Sequence, residues 1–226
     1  MQQRAHPLVL QVFRHLPGAT TRHGSKLGTV PTGAVLACAG ALATAVLACA
    51  GGLAADTAGA DTAGADTAGS ACRDANLRPT VANLGAVDAA TLCLVNKQRT
   101  ARGLRPLHAN RELGHVAASQ VGSMVRRDYF ADVGPSGRTP LSLVTVTRYP
   151  AHAAEVAVGQ NIAWGTGSYT TPAHIVQEWM DSPPHREIML SGEYRDAGVA
   201  STSAVPAVLD TSGRGATYVI EFGARL

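Results

Sequence analysis

Residues 72–226 carry two rhythms of apolar positions. Val87, Leu94 and Val95 recur at helical spacing and predict a helix over 86–102, which Gly103, Leu104 and Pro106 stop. Asn110 is a good N-cap for a second helix running to about Asp128, with Leu113, Val116, Ala117, Val121 and Met124 on one stripe. Gly134-Pro135-Ser136-Gly137 marks a turn, and Thr139 can cap a short helix that begins at Pro140. Thr171-Pro172 opens a further helix with Ile175, Val176, Trp179 and Met180 inward. Pro183 and Pro184 end it, and Ser182 is placed to cap another short helix with His185 in its first turn.

The second rhythm is that of strands. Residues 156–164 and 194–202 read as extended, and 216–222 alternates Tyr218, Ile220 and Phe222 against Thr217, Val219 and Glu221. Helices that precede and flank a small sheet predict an α+β domain with helices packed over an antiparallel sheet.

The first 71 residues follow neither rhythm. Residues 1–32 contain Arg4, Arg14, Arg22 and Lys26 and no acid, and an uncharged run rich in small residues follows from Gly33 to Ala55. A basic flank before a moderately apolar run is the pattern of an export leader over 1–55. Three fates remain open: cleavage between Cys49 and Asp56, lipidation at Cys49 after Val46-Leu47-Ala48, or retention as an uncleaved membrane anchor. Residues 56–71 hold the repeat DTAGA, DTAGA, DTAGS, which has no large apolar side chain to offset the entropy of ordering and predicts a flexible linker.

Composition narrows the function. Residues 72–226 hold 15 Lys and Arg against 13 Asp and Glu, a formal charge of +2, and the whole chain is 4% aromatic. Neither a basic face nor stacking platforms for nucleic acid are expected. Cys72 and Cys93 are the only cysteines of the domain. In an exported chain an even pair predicts one disulfide, the alternative being two unpaired buried thiols. A ring of roughly 20 residues would contribute about 3 kcal/mol. His174 and Glu178 share a helix face, a spacing that suits a solvated pair or two ligands of an incomplete metal site. No Gly-x-Ser-x-Gly elbow surrounds Ser168 or Ser182, and Gly165-Thr166-Gly167 lacks the Lys-Ser/Thr of a phosphate loop.

Five segments, in order, resemble the bacterial branch of the CAP superfamily, which includes the cysteine-rich secretory proteins. They are Leu92–Leu107 (LCLVNKQRTARGLRPL), Tyr129–Pro140 (YFADVGPSGRTP), Gly159–Gly165 (GQNIAWG), Trp179–Leu190 (WMDSPPHREIML) and Ala216–Gly223 (ATYVIEFG). The resemblance implies a CAP domain over 72–226, an α-β-α sandwich with a central antiparallel sheet. It also implies a cleft lined by His and acidic residues, which in some relatives binds a divalent metal.

This chain departs from that cleft. Ala131-Asp132 replaces the family's Ser-His, Gly159-Gln160-Asn161-Ile162 replaces Gly-Glu-Asn-Ile, and Val219-Ile220 replaces Thr-Gln. His185 alone keeps its family position, and Glu178 is a weaker candidate beside it. Asp132 and Gln160 read either as hydrogen-bonding residues of the turn and strand or as oxygen donors to a hard cation. His185 reads as a structural histidine or a ligand, its place at a helix N-terminus favouring neutral imidazole. Two functions are expected from different classes. The first is a non-enzymatic binding module, secreted or in the cell envelope, for a lipid, a wall fragment or another protein. The second is a metal-dependent or protease-like hydrolase. The altered cleft favours the first, with no catalytic residue, no cofactor and at most a doubtful divalent metal at His185 and Glu178.

Overall fold

The computed structural model describes residues 13–15, 72–209 and 215–226. The expected leader, its cleavage or lipidation at Cys49, and the repeat linker fall almost wholly outside these residues. From 1–55 only Phe13–His15 is described, as strand β1. No helix among the described residues is long and apolar enough to cross a membrane.

Helix α1 spans Leu84–Thr100, and a two-residue strand β2, His108–Ala109, leads into α2, Arg111–Arg126. The Asn110 side chain accepts hydrogen bonds from the amides of Glu112 and Leu113, so the predicted cap satisfies two of the orphan donors of α2. Thr139 caps α3, Pro140–Val144, through the amide of Ser142. Thr171 caps α4, Pro172–Asp181, through that of His174. Helix α5 covers Pro183–Met189, and the long strands are β3 (Val156–Thr166), β4 (Asp196–Thr202) and β5 (Gly215–Arg225).

The sheet runs in the order β1-β3-β5-β4-β2. β3, β5 and β4 form the antiparallel centre that was expected, and β2 adds a short parallel pair at the β4 edge. No apolar rhythm announced β2. Asn96 of α1 sets it, accepting from the amide of Leu107 at 2.7 Å and donating to its carbonyl at 3.0 Å.

Helices cover both faces. On one face Val87, Val95, Ile175, Trp179 and Met189 pack over Tyr218, Ile220 and Phe222. On the other, Ala117, Val121 and Met124 of α2 meet Ile162, Ala200 and Val219, and Leu113 and Val116 meet Val156 and Val158. The contact between α2 and β4 is closest at Gly198, where a Cβ would lie 2.0 Å from the amide nitrogen of Gly114. The result is the α-β-α sandwich of the expected α+β class.

One expectation is corrected by this packing. The alternation along 216–222 divides two buried faces, and Thr217, Val219 and Glu221 are as sealed as Tyr218, Ile220 and Phe222. The central strand of a sheet covered on both sides has no solvent face. A disulfide joins Cys72 to Cys93, Cα atoms 5.8 Å apart, and ties the segment before α1 to the helix.

Candidate functional site

Register brings the site together. β3 and β5 pair Gln160 directly with Glu221, and both side chains lie on the face covered by α2. The Gln160 amide Nε2 donates to Glu221 Oε1. Glu221 is fully sealed from solvent. Glu221 Oε2 and Gln160 Oε1 have no hydrogen-bond partner. Burial pushes the Glu221 carboxyl up to about 8, opposed by the Gln160 bond and reinforced by the nearby charge of Asp132. A carboxyl in that state is neutral at pH 7 and can donate as well as accept.

Asp132 faces Glu221 from the loop after α2. Gln120 of α2 holds that loop, its Nε2 donating to the main-chain carbonyls of Ala131 and Asp132, both at 3.1 Å. Burial pushes the Asp132 carboxyl up to about 6, against a hydrogen bond from its own backbone. The cluster is therefore two carboxyls and one amide in a poorly hydrated place. Each carboxyl is displaced toward its uncharged form because ions lose their solvation there.

The adjoining Asn161 points to the opposite face and binds the start of α5, its Nδ2 donating to the carbonyl of His185 at 3.0 Å. His185 Nδ1 lies 2.8 Å from Ser182 Oγ, and Nε2 is buried without a partner. Burial pushes this imidazole down to about 4, so it is neutral at pH 7. The expected Ser182 cap is thus replaced. Its side chain makes no capping bond to the helix backbone and turns to the imidazole instead.

Glu178 stands apart from these groups. Its carboxylate lies 3.2 Å from His174 Nε2 on its own helix, both side chains partly exposed, and the His174 ring meets Tyr169 edge-on. No hydrogen bond or ion pair joins Glu178 to His185, so these two weak metal candidates are not brought together.

The divalent metal implied by the resemblance can be tested against these donors. Among the described residues no group of three or more His, Cys, Asp or Glu side chains is placed to hold a metal ion. Zinc takes three or four nitrogen, sulfur or oxygen ligands, and a hard cation six or more oxygens. Asp132 and Glu221 are two carboxyls where zinc takes at least three Cys, His, Asp or Glu ligands, and adding the Gln160 oxygen leaves a hard cation short of six oxygens, so the residues present do not fit the ion.

Residue patterning missed Glu221 of the cluster and Gln120, which holds the loop that carries Asp132. Glu221 was legible in principle, since a sandwich with helices on both faces obliges a central glutamate to be buried. Gln120 carried no comparable signal.

Comparison with known proteins gives consistent relatives. The sequence model of the cysteine-rich secretory protein family (CAP) matches residues 92–205. "Uncharacterized protein YkwD" of Bacillus subtilis (strain 168) is 27% identical over 118 residues, 52% of this chain and 43% of that protein. The chain therefore spans less than half the length of this curated relative. Among solved structures, an outer surface protein from Borrelia burgdorferi aligns with a TM-score of 0.48 at 17% identity, covering 60% of this chain and 90% of the other. A cysteine-rich secretory protein from Staphylococcus aureus aligns at 0.45 and 20% identity, covering 63% and 40%.

Proposed function

The chain belongs to the cysteine-rich secretory protein (CAP) family, and from that premise we propose that it is an exported binding module of the cell envelope or extracellular space rather than an enzyme. The observation that carries this reading is the state of the cleft groups. Glu221 is held neutral and sealed at neutral pH, Gln160 spends its amide donor on it, and the charge of Asp132 raises its pKa further. General acid–base chemistry needs a group with a pKa near the working pH and within reach of substrate. Glu221 has such a pKa and lacks the reach. The reading involves no metal and no cofactor. Its ligand classes are a lipid, a wall fragment or a protein, contacted through the cleft or the loops around it.

Export rests on the leader pattern of residues 1–55 and on the disulfide, which persists in oxidising compartments. Intact-mass analysis of protein recovered from the producing cell separates the three fates of the leader. A start between Cys49 and Asp56 means secretion, a diacylglycerol adduct on Cys49 means lipidation, and an intact N-terminus means anchoring.

A hydrolase is the second reading, favoured by the 2.8 Å pair of Ser182 Oγ and His185 Nδ1. A neutral imidazole beside a hydroxyl is the start of a nucleophile–base pair. Here Nε2 has no orienting partner and the imidazole is a weak base. The experiment that separates the readings measures binding and turnover together. The purified protein is incubated with lipid vesicles, wall fragments and a panel of ester and peptide substrates. Saturable binding without turnover supports the module. Turnover abolished by Ser182→Ala and by His185→Ala establishes the hydrolase instead.

A further inference from the structure

A second polar position lies away from the cleft, at the outer edge of β4. β2 is two residues long and covers this edge only beside Asp196 and Ala197. The carbonyl of Ala197 accepts from the amide of Asn110 at 2.8 Å, so Ala197 turns its main chain outward. Strand alternation then turns Val199 and Ser201 outward as well, beyond the end of β2. Asp88 of α1 covers Ser201, accepting from its Oγ at 2.6 Å and also from its backbone amide. Val199, whose N–H and C=O this alternation turns to the open edge, lines a cavity of about 360 Å³ between α1, the start of α2 and β4. Its wall is formed largely by Ala89, Leu92, Ala109, Gly114 and Val199, with Asp88 among them.

We propose that this cavity binds a primary ammonium group carried on a short apolar chain. The ammonium offers three donors and no acceptor. The Asp88 carboxylate and the Val199 carbonyl supply two acceptors, one of them charged, and Leu92 and Val199 line the space for the alkyl portion. A small, mostly apolar cavity with a few placed polar groups is the common form of a small-molecule site. Burial pushes the Asp88 carboxyl up to about 6, opposed by both bonds from Ser201, so it is ionised at pH 8. Arg111, the other charged residue of the wall, is exposed, and its field is screened by solvent. The site is separate from the Asp132–Gln160–Glu221 cluster and does not depend on the function proposed for it.

The test is titration of the full chain with n-hexylammonium chloride, 1-hexanol and sodium hexanoate at pH 8, followed by calorimetry. Hexylammonium is expected to bind saturably and about tenfold or more tightly than hexanol, the margin of one charge-assisted hydrogen bond. Hexanoate is expected to show no binding. Asp88→Asn keeps an acceptor for Ser201 and should remove the tenfold margin. Ala89→Trp, which fills the mouth and leaves Asp88 untouched, should abolish binding of both ligands and carries the test if Asp88→Asn fails to fold. Equal affinity for hexylammonium and hexanol, retention of the margin in folded Asp88→Asn, or no saturable amine binding by the native protein would overturn the proposal.

Discussion

Arg99 and Glu221 are both fully sealed from solvent, yet their surroundings differ in kind. Arg99, near the end of α1, donates from Nε to the carbonyl of Arg105 at 3.0 Å. Its Nη1 reaches Met189 at 2.8 Å and Ser191 at 2.9 Å, and Nη2 reaches Tyr194 at 3.4 Å. A guanidinium cannot shed its proton, so it survives burial only by filling its donors, and here those donors close the C-terminal end of α5. Glu221 has one donor from Gln160, one oxygen with none, and a second carboxyl nearby. It survives burial by keeping its proton. A buried charge with its donors paired organises chain, whereas a buried neutral acid with an unpaired oxygen marks a site whose groups are spare.

Replacing the two buried groups should therefore have unlike effects. Arg99→Met strands the carbonyls of Arg105, Met189 and Ser191, while that of Tyr194 keeps a donor from Arg195. It is expected to cost about 3–5 kcal/mol in urea unfolding, the range for leaving buried polar groups without their charged partner. Glu221→Gln at pH 7 should not destabilise and is expected to raise stability by roughly 2–3 kcal/mol, because the unfolded native chain releases the proton that the sealed carboxyl must keep and the amide has none to regain. A large loss in Glu221→Gln and a small one in Arg99→Met would invert the comparison.

The next effect belongs to the other half of α1. Replacing Cys72 and Cys93 by serine should lower stability by about 3 kcal/mol, the loop-closure value for a ring of this size. It should leave the Arg99 network intact, so the double-serine and Arg99→Met losses should add in the combined variant.

An effect that is smaller over any one pH unit depends on pH. The Glu221 carboxyl ionises near 4.5 when unfolded and near 8 when folded. Between those values the folded protein holds a proton that the unfolded chain has released. The contribution of this group is fully present below 4.5 and is lost as pH rises, by up to about 1.4 kcal/mol per pH unit, levelling above pH 8. Asp132 and Asp88 act in the same direction between 3.8 and about 6. Urea midpoints at pH 6, 7, 8 and 9 should decline to pH 8 in the native protein. In Glu221→Gln the decline above pH 6 should be absent. The smallest effect is that of Ser182→Ala. It removes one partly exposed hydrogen bond to His185 and is expected to cost about 0.5–1 kcal/mol, read from the same curves.

The frame of the molecule was legible because local chemistry and tertiary structure agree in it. Asn110, Thr139 and Thr171 cap the helices that their side chains predict, and the apolar stripe of α2 meets the sheet. The cysteine pair was legible because a domain with two cysteines has only one internal pairing. The site was less so. Ser182 followed every rule of a capping residue, and the ring of His185 competed successfully for its hydroxyl. Glu221 stood at the polar beat of an alternating strand, and only the second layer of helices makes that beat an interior one. Arg99 lies in a run of polar residues, and its four acceptors come from 6 to 95 residues away in sequence, which no local pattern encodes.

The central claim is that the cleft carboxyl is a neutral, sealed hydrogen-bonding group rather than an ionised acid or a metal ligand. Carbon-13 resonance of the Glu221 side-chain carboxyl, assigned by its loss in Glu221→Gln and followed from pH 5 to pH 10, tests this most directly. The account predicts a protonated carboxyl at pH 7 that titrates near 8, unmoved by millimolar zinc or calcium. A resonance already ionised at pH 7, or one that shifts on addition of either metal, would contradict it.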